Sequence, residues 1–280
     1  MNPNRSAIAR NHPDLQRMIP ITRLRHFYRL LRDTVVSKDA HLCVAEEFRR
    51  NPQTLQNLVE ESRLHFALYN NSGEGFHPRE PLGALSTDVS KSPNAVHEML
   101  RCVKQHGLMV PSHPAFNAGY VDYELSPIRT TTSEYENGIP SQARGGVDVL
   151  LANEGDRLPV LVEAKGKKDR NLFLGLIQLL TYAVEFSTIS QRQRINETYP
   201  GRFAWQPDGP ALDVYLLLVE APSCQFHPTF LGLVEEICGK ILTPGSAVAG
   251  VLRRIVCLET DMSGTEAIPV AVKFCHGPGS

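Results

Sequence analysis

The sequence predicts an α/β fold, in its α+β mixed form: a central mixed sheet flanked by helices, with a helical region at the N-terminal end. Three observations carry this. Val147 to Leu151 and Leu158 to Ala164 are apolar runs of strand length, separated by the turn-forming Asn153-Glu154-Gly155-Asp156. Leu172 to Phe186 is apolar on most of its circumference, the pattern of a helix buried against a sheet. Leu212 to Val219 is a continuous apolar run suited to a buried strand. The order is helices, strands, helix, strand, helix, strands, which builds a sheet covered by helices.

The elements follow in chain order. Residues 1–21 lack sustained periodicity and read as an irregular arm. From Thr22 to Val36, Leu24, Phe27, Leu31 and Val35 mark an apolar helix face, while Arg25, Arg29 and Arg32 line another face. That basic stripe could contact phosphates or simply stay solvated. Asp39 to Arg50 and Pro52 to Tyr69 are two further helices, the second with proline near its start. Residues 70–93, rich in Asn, Gly and Pro, lose periodicity and separate a helical N-terminal region, 1–85, from a second domain, 86–280. Ser92-Pro93-Asn94 opens a helix that runs to about Gln105 and is closed by Gly107.

Gly119 to Leu125 is a first core strand or an edge strand. Residues 126–145 read as a long loop carrying Arg129 and Arg144. Asn171 is a natural N-cap for the apolar helix that follows it. Residues 190–210 are polar and irregular. Thr229 to Leu242 has helical spacing, Ile255 to Leu258 and Ile268 to Phe274 are short strands, and 276–280 is a flexible tail.

The chain has 280 residues, 42% of them hydrophobic and 21% charged, with a net charge of −1. That composition is ordinary for a globular protein with a sizeable core. The net charge gives no global pull toward nucleic acid, but residues 1–50 hold ten Lys and Arg against five Asp and Glu. Any contact with a polyanion must therefore be regional. Absence of a long apolar run predicts no membrane association and a cytoplasmic location. The six cysteines are scattered without Cys-x-x-Cys spacing, as buried thiols in a reducing compartment are.

Residues 146–186 hold the chemistry. Strand side chains alternate faces, so Glu163 and Lys165 point one way and Ala164 the other, and Asp148 can face the pair from the neighbouring strand. Two carboxylates are hard oxygen donors that suit Mg²⁺, an ion that keeps several waters and shares its remaining positions with phosphate oxygens. On the following helix, Asn171, Gly175, Gln178, Tyr182 and Glu185 recur at spacings of three and four and form one stripe. Taken singly, Glu163 and Lys165 could be a solvated pair and the stripe a water-facing side. An ionised Asp148 inside Gly-Gly-Val-Asp-Val-Leu-Leu is costly unless paired or metal-bound.

The ordered set Asp148, Glu163-Ala164-Lys165 and Gln178-Leu-Leu-Thr-Tyr182 resembles the PD-(D/E)XK nuclease superfamily, and its Gln-x-x-x-Tyr is similar to the RecB-type exonuclease branch. Val147 stands where the motif's proline would be. The resemblance implies a restriction-endonuclease-like core and a Mg²⁺-dependent phosphodiesterase, with Mn²⁺ able to substitute. It implies a nucleic-acid substrate, DNA first. Asp148, Glu163 and the Ala164 carbonyl would be metal ligands, Lys165 would act on the attacking water and the phosphate, and Gln178 and Tyr182 would support catalysis. His97, Glu98 and Glu134 are candidates for one further ligand. Arg25, Arg29, Arg32, Arg144, Lys167 and Lys168 are candidates for nucleic-acid binding. The isolated cysteines predict no iron–sulfur cluster. Homodimerisation is left open, as is the alternative that the chain is a catalytically silent binding module on the same fold.

Overall fold

A computed structural model describes residues 23–33, 38–69, 74–77, 95–129, 131–138, 146–166, 171–205, 210–219, 228–260 and 270–278. The arm predicted over 1–21, most of the 70–93 boundary, Arg144, Lys167 and Lys168 lie outside the described residues.

The described helices are α1 (Leu24–Asp33), α2 (Lys38–Arg50), α3 (Pro52–Tyr69), α4 (Ala95–His106), α5 (Thr132–Glu136), α6 (Leu172–Phe186), α7 (Ile189–Thr198) and α8 (Pro228–Ile241). The strands are β1 (Ala118–Leu125), β2 (Val147–Asn153), β3 (Pro159–Lys165), β4 (Leu212–Val219), β5 (Leu252–Thr260) and β6 (Val270–His276). They form one mixed sheet in chain order, β1 to β6. β3, β4 and β5 run parallel, and the remaining neighbours pair antiparallel. α6 supplies the crossover from β3 to β4, and α8 the one from β4 to β5, as parallel pairing requires.

The period of two in the strands sorts the core into two faces. Leu150, Leu161, Leu216 and Leu218 lie under α6 and α8. Val149, Val160, Val162, Tyr215 and Leu217 lie under α4 on the opposite face. The N-terminal helices do not stand apart: Leu24, Phe27, Leu31, Phe48 and Leu55 belong to the same apolar cluster as α6. α6 is thus sandwiched between the sheet and α1 to α3, and every residue in it but Leu174 is buried. Among the described residues no single helix is long and apolar enough to cross a membrane.

Two segments predicted as irregular are helical. The short α5 lies within 126–145, and α7 begins directly after α6. Buried Gln191, Arg194 and Ile195 anchor α7, and with one aliphatic residue among three anchors the segment offers no hydrophobic period to read. β6 also continues through His276, which pairs with Ile255 where a tail was expected. On the α4 face, Asp213 is fully buried on β4, and Arg253 holds both its oxygens, at 2.9 and 2.6 Å. Burial pushes the Asp213 carboxyl above its ordinary range, and the Arg253 charge opposes that rise.

Candidate functional site

The site begins where β2 enters the sheet. A Cβ on Gly146 would lie 2.4 Å from the Leu125 carbonyl oxygen, so only glycine lets the chain pass this close to the end of β1. Val149 pairs with Val162 across the β2–β3 hairpin, and the same register sets Asp148 opposite Glu163 on the α6 face. Asp148 is half-buried, and its Oδ2 accepts the Ala164 N–H at 2.7 Å. A strand residue's N–H and C=O face the same neighbour, so the Ala164 carbonyl is directed to the Asp148 side as well.

Glu163 and Lys165 are each 3% exposed, which excludes a solvated pair. Lys165 Nζ donates to Glu163 Oε1 at 3.1 Å. Gly175 makes room for this lysine: a Cβ there would sit 2.9 Å from Lys165 Cε and 3.1 Å from Leu216 Cδ2. Gln178 Nε2 donates to Glu163 Oε2 at 2.6 Å and reaches the Gly146 carbonyl at 3.3 Å. A carboxylate only accepts, so the amide nitrogen must face Glu163, which leaves the amide oxygen to accept from Tyr28 Oη at 2.9 Å. One glutamine therefore ties β3, the start of β2 and α1 together.

The stripe on α6 is an interior face rather than a wet one. Asn171 caps the helix by accepting from the Leu174 N–H at 3.0 Å, and its amide also meets His41. Tyr182 and Glu185 are each 4% exposed. The Arg25 guanidinium lies over the Tyr182 ring, 5.3 Å from its centroid, and makes a bidentate pair with Glu185. Burial raises the Glu185 carboxyl above its ordinary range, and the Arg25 pair opposes that rise. Burial also raises the Tyr28 and Tyr182 phenols; the Glu163 charge adds to the rise at Tyr28, while Arg25 opposes the rise at Tyr182. Both therefore remain neutral donors at ordinary pH.

The other candidates fall elsewhere. Glu98 is exposed on α4, the helix that covers the far face of the sheet. His97 and Glu134 belong to α4 and α5, and their side chains lie outside the described residues. Of the basic stripe on α1, Arg25 turns inward to Glu185 because a buried carboxylate outcompetes solvent for it. Arg32 is exposed over the Tyr28 ring, and Arg29 is exposed. Tyr28 was not among the candidates. Its signal was available, since it shares the helix face of Leu24 and Leu31 and a buried phenol needs an acceptor.

Among the described residues no group of three or more His, Cys, Asp and Glu side chains is gathered to hold a metal. The donors at this site are instead two carboxylates and one carbonyl. That set matches a cation such as Mg²⁺, which binds through one or two carboxylates and completes its shell with water and phosphate. No family model, no curated protein and no solved structure matches the chain.

Proposed function

We propose that the chain is a divalent-metal-dependent nuclease of the PD-(D/E)XK type, hydrolysing phosphodiester bonds in DNA. One observation carries the reading: Glu163 is gripped by Lys165 and Gln178 on the sheet face that Asp148 also occupies. Buried charges such as Glu163 and Lys165 are costly, and a merely structural strand inside the sheet has no need of them beside Asp148.

Asp148, Glu163 and the Ala164 carbonyl would hold Mg²⁺, or Mn²⁺ in its place. When bound, such an ion polarises the phosphate and makes a bound water more acidic. Lys165 then orients the attacking water and offsets the charge that grows on the phosphorus oxygens as the P–O bond to the leaving strand breaks. Gln178 fixes the orientation of the Glu163 carboxylate that would bind such an ion, and Tyr28 fixes Gln178.

The test is incubation of the purified chain with linear, nicked and closed-circular DNA, in Mg²⁺ or in EDTA. Cleavage in Mg²⁺ alone is expected, and loss of the closed circles would make the enzyme an endonuclease. A second reading, a catalytically silent nucleic-acid-binding module, is favoured by the burial of Glu163 and Lys165 behind α1. Binding without cleavage of any of the three DNAs would select it.

Gln178→Ala removes the amide donor to Glu163 Oε2 and the acceptor of the Tyr28 hydroxyl, so turnover should fall roughly tenfold to a hundredfold, as for partners that orient a ligand. Tyr182→Ala removes the ring beneath Arg25 and should cost less. Should both variants match the wild type in turnover and DNA affinity, the stripe serves packing alone.

A further inference from the structure

Beside the candidate site, α1, α3, α6, α7 and the turn after β1 enclose a cleft of about 550 Å³, a size that suits a small ligand or one unit of a polymer. Among the described residues it carries five arginines, Arg23, Arg25, Arg29, Arg129 and Arg194, against one acid, Glu185. Arg25 is committed to Glu185 and Arg129 to Asp122. Arg194 is spent on the carbonyls of Glu74, Pro127 and Arg129, which holds the turn that bears Ile128 and Arg129 rigid from beneath. The side chains of Arg23 and Arg29 form no hydrogen bond or ion pair among the described residues and face the cleft, with Arg29 near enough to Glu185 to oppose the rise of its carboxyl. Burial, and after it the charge of Arg23, depresses His65.

Two polar atoms in the cleft's lining are buried and lack a partner among the described residues, the Arg129 Nε donor and the Gln191 Oε1 acceptor. Arg129 is 3% exposed and Gln191 1%, and an unmet buried group of this kind costs about 1–3 kcal/mol. A ligand that answers both must carry an acceptor and an N–H or O–H donor. Phe66 and Ile128 add an apolar wall. Along α6, Glu185 lies seven residues beyond Gln178, about 10 Å at 1.5 Å per residue, or roughly three stacked nucleotides at 3.4 Å each.

We infer that this cleft seats a nucleotide of the substrate strand, with its phosphate against Arg23, Arg29 and Arg129 and its base against Phe66 and Ile128, where Gln191 accepts a base N–H. The nucleic-acid identity of the ligand rests on the nuclease reading; the demand for an anion that also donates does not.

The experiment measures binding of a fluorescent single-stranded oligonucleotide to the full chain in EDTA, across a salt series, separately from cleavage in Mg²⁺. Arg23 and Arg29 sit on the rim of the fold, so the double variant Arg23→Ala, Arg29→Ala should keep the wild-type circular dichroism. Its affinity should drop at least tenfold, and the slope of log K against log salt should flatten by about 0.7 to 1.4, the share of one or two phosphate contacts on a single strand. Ile128→Ala should weaken binding several-fold with no change of slope. A mononucleotide should compete better than inorganic phosphate.

Wild-type affinity and slope in the double variant would overturn the inference, whatever the cleavage result. Equal competition by phosphate and mononucleotide would overturn the base contact and leave an anion site. If binding depends on the arginines but the wild type never cleaves, the nuclease reading falls and the cleft stands.

Discussion

Asp148→Asn and Glu163→Gln are each expected to abolish Mg²⁺-dependent cleavage while the protein stays folded. Both keep the shape of the side chain and remove the negative charge that a hard cation requires. Asparagine can still accept the Ala164 N–H through its amide oxygen, so the contact that orders the β2–β3 mouth survives. Alanine would be a poorer choice at 163. Glutamine, like alanine, removes the charge opposite the buried Lys165 ammonium, but it keeps an amide oxygen that can accept from Nζ; alanine removes that acceptor as well, and a lost fold would then imitate a lost ligand. Metal titration and a thermal melt, run beside the cleavage assay, separate the two. Cleavage at the wild-type rate in either variant would mean that the substituted residue is no ligand.

Lys165→Met should lower the single-turnover cleavage rate by roughly a hundredfold or more, as for loss of one preorganised electrostatic group. The methionine keeps the stem that packs against Gly175 and removes the charge. Lysine has no lone pair to offer a cation when charged, so DNA affinity and metal binding should change far less than turnover. Glu163 would retain its hydrogen bond from Gln178. If Lys165→Met cleaves normally, Lys165 only balances Glu163, and the Glu-x-Lys pattern has no mechanistic content even with a metal in place.

Elements whose side chains make their own periodic case were legible. Pro52–Tyr69, Leu172–Phe186 and Leu212–Val219 occupy the ranges that their apolar patterns gave. The shared face of Glu163 and Lys165 follows from strand alternation, and the pair is in contact as that geometry allows. α7 was hidden because two of its anchors, Gln191 and Arg194, are polar residues buried by hydrogen bonds to Pro127 and its neighbours. No local pattern announces such partners, which lie more than sixty residues away. The direction of Arg25 was hidden for a similar reason. Its helix shows a basic stripe, and only the tertiary fold brings the buried Glu185 within reach. The cleft combines residues from five segments, so no single stretch of sequence carries its outline.

The sheet is laid down in chain order, so each strand pairs with its neighbour in sequence, whereas α1 meets α6 only across 150 residues. The entropy of closing a loop rises with its length, so docking α1 on α6 carries a larger closure cost than pairing any two neighbouring strands. α1 should therefore behave as a latch with its own opening free energy, below that of the sheet. Amide hydrogen exchange would reveal it as faster exchange in α1 than in β4 or α6, and equal protection throughout would make the whole chain a single cooperative unit. Because Tyr28 and Arg25 ride on that latch, one opening event would bare Gln178, Tyr182 and Glu185 together. How often α1 breathes and how often water reaches the Glu185 carboxylate would then be the same quantity.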